Sequence, residues 1–235
     1  MNQFIFDVDG TLTESRSSID GMFQSYFLDF CFANEVYLVT GSDYPKTVEQ
    51  LGLKICETVR KVYNCSGNDI WESGINTHTN EWHLPDAAET FLIEYLKTSD
   101  FKVRTGTHFE HRPGMCNFSI VGRGANKLQR AEYVKWDNSS DERIKIAKDF
   151  NSLFLKLEAK VGGETGIDIF PKGLDKSQIL KDFEDISNIY FFGDRCDING
   201  NDYPIAKVVT NTFYVKSWRE TFKTLRELQS KGIAL

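Results

Sequence analysis

The chain has 235 residues, of which 40% are hydrophobic and 26% charged, and its formal net charge is −6. This length allows one large domain or two smaller ones, and the negative charge argues against general binding to nucleic acids or anionic membranes. The five cysteines are odd in number and include no CxxC pair, which favours free thiols in a reducing compartment. Because the sequence also shows no signal peptide and no apolar run of membrane-spanning length, we predict a cytoplasmic protein.

Short apolar runs near both ends of the chain predict buried parallel strands. They are residues 4–6, VYLVTGS from Val36, IYFFGD from Ile189 and AKVVTN from Ala206. Helical patterns lie between them, as in residues 19–32. This alternation predicts an α/β fold with a doubly wound, Rossmann-like sheet, in which ligands bind beyond the carboxyl ends of the strands.

A final helix is predicted from apolar residues at spacings of three and four, starting at Trp218. Ser217 and Glu220 are spaced as a capping box, and Gly232 is the expected stop signal.

The middle of the chain has a different pattern. THFEHRPG, MCNFSIVGR and TGIDIFP predict strands, and a long amphipathic helix is expected after Ser139, with Glu142 in capping-box position. Strands with helices on one side are typical of an antiparallel α+β unit. We therefore predict a core formed by residues 1–76 and 173–235, with an α+β cap domain inserted at residues 77–172.

Two carboxylates follow the first predicted strand, in the run DVDGT. Asp7 and Asp9 would face the same side if the strand continued, and their mutual repulsion would be relieved by a hard divalent cation such as Mg²⁺. The run GDRCDINGND brings Asp194 and Asp202 to the end of another strand, and leaves open whether Asp197 joins them. Such a site could use one leading aspartate as a nucleophile toward phosphorus and the other as a proton carrier.

Three further residues could contact a phosphoryl group. Thr40 and Ser42 end a predicted strand and offer hydrogen-bond donors, and Lys176 could offset the negative charge. Each motif alone has another interpretation. DxDG occurs in calcium loops, although the later acids of an EF-hand are missing here, the acidic run could be a simple turn, and Lys176 could be a solvated surface residue.

Taken together, DVDGT, TGS, Lys176 and the acidic run resemble the haloacid dehalogenase superfamily of phosphotransferases. The segments EHRPGMCNFSIVGR, GGETGIDIFPKGLDKSQIL and GSDYPKTVEQLG are similar to the eukaryotic-type phosphomannomutases over nearly the whole chain. The resemblance implies that Asp7, Asp9, Thr40, Ser42 and Lys176 are catalytic. It also implies a metal site whose candidate ligands are Asp7, Asp9, Asp194 and Asp202.

The same resemblance implies a second phosphate site in the cap. The matching substrate-binding positions are Arg16, Arg112, Asn117, Arg123 and Asp168. For Arg112 and Arg123 an exposed strand face is the alternative. The chain departs from the family pattern where FRNGM becomes His111 to Met115 with Pro113, where the Ser of ISFD becomes Gly166, and where a basic residue becomes Thr105 beside Arg104. The resemblance implies that each change removes or moves a phosphate or sugar contact in the cap, while the core motifs are intact.

The resemblance implies a mutase that interconverts hexose 6-phosphate and hexose 1-phosphate through an aspartyl-phosphate, with Mg²⁺ as cofactor and hexose 1,6-bisphosphate as activator. The alternatives are a Mg²⁺-dependent sugar-phosphate phosphatase and a non-catalytic binding protein on the same fold. The expected partner is a small phosphorylated sugar, without nucleic acid or membrane, and a homodimer is left open.

Overall fold

The computed structural model describes residues 2–235 and divides into two compact units. The core unit consists of the described residues up to Thr79 together with Asp175–Leu235. The inserted unit is Asn80–Leu174.

The strands are numbered in chain order through both units. They are β1 (Gln3–Phe6), β2 (Glu35–Val39), β3 (Lys61–Asn64), β4 (Asp69–Glu72), β5 (Ile75–Thr79), β6 (Phe109–Arg112), β7 (Met115–Phe118), β8 (Leu157–Gly162), β9 (Gly166–Pro171), β10 (Ile189–Gly193) and β11 (Asn211–Tyr214). The helices are α1 (Gly21–Ala33), α2 (Tyr44–Leu51), α3 (Leu53–Thr58), α4 (Asp86–Thr98), α5 (Lys127–Ser140), α6 (Glu142–Leu153), α7 (Tyr203–Ala206) and α8 (Trp218–Ser230). Between Asn2 and Leu235, no helix is both long enough and apolar enough to cross a bilayer.

The core unit contains one sheet with the strand order β11-β10-β1-β2-β3-β4-β5. The strands from β11 to β3 are parallel, and β4 and β5 extend the sheet in antiparallel fashion. Strand β1 is buried on both faces, since Phe4 and Phe6 pack against rings of α1 and Ile5 belongs to the hydrophobic cluster on the other side. Because β1 lies between β10 and β2, the residues that follow these three strands share one edge of the sheet.

The inserted unit contains an antiparallel sheet with the order β6-β7-β9-β8. One face is apolar, and Phe118 and Ile169 lie in a buried cluster with Tyr133 of α5 and Phe150 of α6. The opposite face carries a row of polar residues paired in register, which are Glu110, Asn117, Asp168 and Lys160. The sheet therefore has one face covered by helices and an opposite face that is polar and charged.

The predicted strand AKVVTN is wrong in its position, because the strand begins only at Asn211. Ala206 ends the short helix α7, and the main-chain N–H groups of Val208 and Val209 donate to the Ile205 carbonyl. Val209 fills the core from this turn rather than from a strand. The apolar residues of AKVVTN indicated a buried strand, but Val209 is buried as part of a turn.

Both predicted capping boxes are absent. Ser217 precedes α8 without a side-chain cap, and Glu220 instead accepts a hydrogen bond from the Lys216 N–H at 2.9 Å. The helix predicted after Ser139 is α6, but Ser139 lies in the last turn of α5 and does not cap it, and Glu142 accepts a hydrogen bond from the Tyr133 hydroxyl. A capping box does form at Asn126 and Gln129, at the start of α5, where the sequence analysis placed no helix.

Candidate active site

The candidate active site in the core unit is built around the buried ammonium group of Lys176. Its Nζ donates to Asp7 Oδ1 at 2.6 Å and to Asp202 Oδ1 at 2.7 Å, and the lysine side chain is only 1% exposed. Asp7 directly follows β1, and its main-chain N–H donates to the Phe192 carbonyl at 2.9 Å. Lys176 is therefore a buried counter-ion, and its interpretation as a solvated surface residue is wrong.

Three carboxylates meet beside this ammonium. Single oxygens of Asp7, Asp194 and Asp202 all lie within 4.8 Å of one another. Asp202 is fixed further by the Arg195 N–H, which donates to its Oδ2 at 3.0 Å. Gly193 and Gly10 make room for this group, because a Cβ atom at Gly193 would lie 2.7 Å from Asp202 Oδ2 and one at Gly10 would collide with the Asp194 carboxylate.

The single positive charge of Lys176 does not balance the three carboxylates of this group. Burial raises the pKa of Asp7 well above its usual range despite Lys176, and the charges of Asp202 and Asp194 add to the rise. Burial, followed by the charge of Asp202, raises the pKa of Asp194 to about 7. Burial opposes the charged form of Lys176, but the carboxylates of Asp202 and Asp7 outweigh it and raise the lysine pKa. Three carboxylates with one ammonium thus fit a site for a hard divalent cation, which prefers carboxylate oxygen.

Asp9 is oriented differently from Asp7. Strand β1 ends at Phe6 and the chain turns at Gly10, whose φ is +82°, so the two carboxylates do not share a strand face. Oδ1 of Asp9 accepts hydrogen bonds from the Arg16 N–H at 2.7 Å and from Gln50 Nε2 at 2.9 Å. The side chain of Asp9, predicted as a metal ligand, is not one of the three clustered carboxylates.

Asp197 also lies outside the carboxylate group. Its side chain is 49% exposed and accepts hydrogen bonds from Arg195 Nε at 3.3 Å and from the Asn199 N–H at 3.1 Å. Of the three aspartates in the run GDRCDINGND, Asp194 and Asp202 therefore belong to the three-carboxylate group, and Asp197 lies in the turn between them.

Thr40 and Ser42 follow β2 in a tightly held loop. Thr40 is buried, and its hydroxyl oxygen accepts a hydrogen bond from the Ser42 N–H at 3.1 Å. The N–H groups of Cys65 and Ser66 donate to the carbonyls of Ser42 and Thr40. Both Cys65 and Ser66 have positive φ angles, which non-glycine residues seldom adopt. The surrounding structure must therefore hold this backbone in a strained conformation, in which the two N–H groups reach the loop after β2.

In the inserted unit, the predicted substrate-binding residues form one hydrogen-bonded chain. Arg112 and Arg123 both pair with Glu110, Arg112 Nη2 lying 2.9 Å from Oε1 and Arg123 Nε contacting Oε2. Arg123 Nη1 then donates to Asn117 Oδ1 at 3.1 Å, and Asn117 Nδ2 donates to Asp168 Oδ1 at 2.7 Å. The structure therefore brings these four predicted residues together on the polar face of the sheet.

The structure shows what surrounds two of the departures from the family pattern, Gly166 and Thr105. A Cβ atom at Gly166 would collide with the Asn117 amide, so the glycine makes room for that side chain. Thr105 donates its hydroxyl to the Val121 carbonyl at 2.7 Å, and Arg104 Nη2 donates to the Leu96 carbonyl at 2.9 Å. Both residues are held by main-chain carbonyls.

Sequence analysis missed Gln50, which contacts Asp9 in the core unit, and Glu110, which pairs with both arginines in the inserted unit. Glu110 precedes Arg112 by two residues, so strand alternation could have placed it on the same face. Gln50 is 41 residues from Asp9 in the chain, and no local pattern links them.

The sequence is similar to one protein family over most of its length. Residues 27–231 match the model of the family described as "Eukaryotic phosphomannomutase". A phosphomannomutase of Dendrobium officinale is 33% identical over 210 residues, which are 86% of this chain and 83% of that protein. Phosphomannomutase 1 of Dictyostelium discoideum is 31% identical over 236 residues, covering 95% of each chain.

The chain belongs to the eukaryotic phosphomannomutase family. Among solved structures, the IMP-bound, N-terminally truncated IMP-nucleotidase of Plasmodium falciparum superposes with a TM-score of 0.69 at 16% identity, covering 98% of this chain and 68% of that one. This likeness confirms the predicted fold class, an α/β core with a largely parallel sheet and an inserted α+β unit. The phosphomannomutase family match includes all the candidate site residues except Asp7, Asp9 and Arg16, which precede residue 27.

Proposed function

We propose that this member of the phosphomannomutase family interconverts hexose 6-phosphate and hexose 1-phosphate through an aspartyl-phosphate at Asp7. The observation that carries the proposal is the buried contact of Lys176 with Asp7 and Asp202, beside Asp194. This arrangement keeps a carboxylate nucleophile in place and balances part of its charge. Phosphoryl transfer depends mainly on such positioning and on charge stabilisation.

Each core residue has a role in the proposed reaction. An Asp7 oxygen attacks phosphorus, and the bond from phosphorus to the sugar oxygen breaks. Asp9 gives a proton to that oxygen, and in the return step it takes one from the attacking hydroxyl. The Thr40 to Ser42 loop offers donors to the phosphoryl oxygens. Asp7, Asp194 and Asp202 would hold Mg²⁺, which supplies positive charge against the phosphate.

The inserted unit is proposed to bind the phosphate that is not reacting. Guanidinium groups bind phosphate through paired hydrogen bonds, and Arg112 and Arg123 are held side by side by the one carboxylate of Glu110. Asn117 and Asp168 lie next to Arg123 and are proposed to contact the sugar, and Arg16 is proposed as a further phosphate contact in the core unit.

Arg112→Ala and Arg123→Ala should each raise KM for hexose phosphates by about 10- to 100-fold, because each removes a charge-assisted contact worth roughly 1.5 to 3 kcal/mol. Hydrolysis of a small aryl phosphate, which has no second phosphate, should change little. The measurement is steady-state kinetics with both substrates. Lys160→Ala is the matched control, since Lys160 is a cation on the same face that pairs with Glu158 at 2.9 Å. An equal loss with both substrates would make the arginines structural.

A phosphatase is the second candidate, and the structure offers one reason for it. The position of a family basic residue is taken by Thr105, and neither Thr105 nor Arg104 directs its side chain to the arginine network. With fewer cationic contacts for the distal phosphate, water could discharge the phosphorylated Asp7.

Phosphorus NMR should distinguish the two candidates. The enzyme is incubated with Mg²⁺ and mannose 1-phosphate or glucose 1-phosphate, with and without a catalytic amount of hexose 1,6-bisphosphate. We expect the 6-phosphate to form and the bisphosphate to accelerate it. Release of inorganic phosphate at a comparable or faster rate, unaffected by the bisphosphate, would establish the phosphatase. A protein that changes neither substrate would be the non-catalytic alternative.

A further inference from the structure

Gln50 lies close to the end of α2 and connects that helix to the loop that carries Asp9. The residue is 2% exposed, and its Nε2 donates to Asp9 Oδ1 at 2.9 Å and to Thr13 Oγ1 at 3.3 Å. Its main-chain carbonyl accepts the Ile19 N–H at 2.8 Å. A single residue therefore holds the segment from Asp9 to Ile19 at three points.

The hydrogen bonds to Asp9 are asymmetric. The Arg16 N–H and the Gln50 amide both donate to Oδ1. An oxygen that accepts two donors has both lone pairs in use, so a proton on this carboxyl group belongs on Oδ2. The two donors thus fix both the plane of the carboxyl group and the oxygen that can exchange a proton.

The Gln50 amide makes this contact at a cost. Its own Oε1 is buried and has no hydrogen-bond partner among the residues that the structure describes. A buried acceptor without a partner is unfavourable. The opposite orientation of the amide would place Oε1 against the Asp9 carboxylate, so the contact with Asp9 determines the orientation.

We infer that Gln50 is a positioning residue for proton transfer by Asp9, and this rests on the function proposed above. In the first half-reaction Asp7 bonds to phosphorus, the bond from phosphorus to the leaving oxygen breaks, and the proton on Asp9 Oδ2 moves to that oxygen. The electron pair of the broken bond receives the proton, and Asp9 is left as a carboxylate. Gln50 touches neither phosphorus nor the leaving group in this scheme and acts only by holding Asp9.

The test compares leaving groups that differ in their need for a proton. A sugar or phenyl leaving group needs protonation as it departs, whereas 2,4-dinitrophenolate does not. Gln50→Leu should lower kcat/KM for hexose 1-phosphate and phenyl phosphate by about 10- to 100-fold, a part of the usual contribution of a positioned acid. For 2,4-dinitrophenyl phosphate it should fall less than about 3-fold, since a transition state without proton transfer does not need Asp9 held.

Gln24→Leu is the matched control. Gln24 Nε2 donates to the Leu51 carbonyl at 3.0 Å, so this variant loses an amide hydrogen bond at the same helix end without touching Asp9. We expect it to show no dependence on the leaving group. Thermal unfolding is recorded for every variant, and Gln50→Met replaces Gln50→Leu if the leucine variant does not fold.

Several results would overturn the inference. The first is an equal loss of kcat/KM with all three substrates, and the second is a dependence on the leaving group that is the same in Gln50→Leu and Gln24→Leu. The third is failure of both Gln50 variants to fold, which would make Gln50 a structural residue. A wild-type protein that neither transfers nor hydrolyses phosphate would instead refute the proposed function itself. The two failures are therefore distinguishable.

Discussion

Asp7→Asn should abolish turnover of hexose phosphates while the protein remains folded. An amide cannot replace the carboxylate as a nucleophile toward phosphorus, so kcat should fall by on the order of 10⁴ or more. The fold should persist because Lys176 keeps its 2.7 Å contact with Asp202 and the crowded group loses one negative charge. We expect Tm to stay within about 4 °C of the wild type, which corresponds to roughly 1 kcal/mol in a chain of this size.

The matched control for this variant is Asp197→Asn. It removes a carboxylate from the same acidic run, but one that is half exposed and outside the three-carboxylate group. Its kcat should stay close to that of the wild type. Turnover by Asp7→Asn at more than a few per cent of the wild-type rate, in a sample shown by mass spectrometry to contain no deamidated protein, would exclude an aspartyl-phosphate at this position.

Lys176→Met should have the largest effect on stability. It leaves the carboxylates of Asp7 and Asp202 buried without the ammonium that both contact, and the loss of one partner from such a buried contact costs about 3 to 5 kcal/mol. Methionine fills most of the same volume, so the cost is electrostatic and not that of a cavity. The free energy of unfolding from urea titration in the presence of a chelator measures it, and phosphate transfer should also be lost.

Lys181→Met is the comparison for this measurement. Lys181 lies in the same short helical turn but is exposed, so its removal should change the free energy of unfolding by less than about 0.5 kcal/mol. If the two lysine variants unfolded at the same urea concentration, the contact of Lys176 with the two aspartates would not stabilise the core unit.

Sequence patterns predicted the parts of the fold that depend on local periodicity. Phe4 and Phe6 identified β1, and the polar residues that follow β1, β2 and β10 lie at one edge of the sheet, as expected. Errors occurred where a tertiary contact decides the local structure, as at Val209, which reaches the core from a turn, and at Glu142, which bonds to Tyr133 instead of capping a helix.

The candidate site was predictable in composition but not in detail. The motifs named the aspartates and Lys176, yet the direction of Asp9 depends on the turn at Gly10 and on Gln50 from a different helix. The sequence could not show that Glu110 would pair with both arginines, because that contact joins β6 to a residue beyond the end of β7.

The order in which the ribosome makes the chain has a consequence for the core sheet. Strand β1 needs β10 on one side, and Asp7 needs Lys176, which is 169 residues further along. Until those residues have been synthesised, one edge of a strongly apolar strand has no partner, and such edges promote aggregation. The nascent chain must therefore carry an incomplete sheet through most of its synthesis, and we expect ribosome-bound chains that stop before Ile189 to depend on chaperones far more than the released protein does.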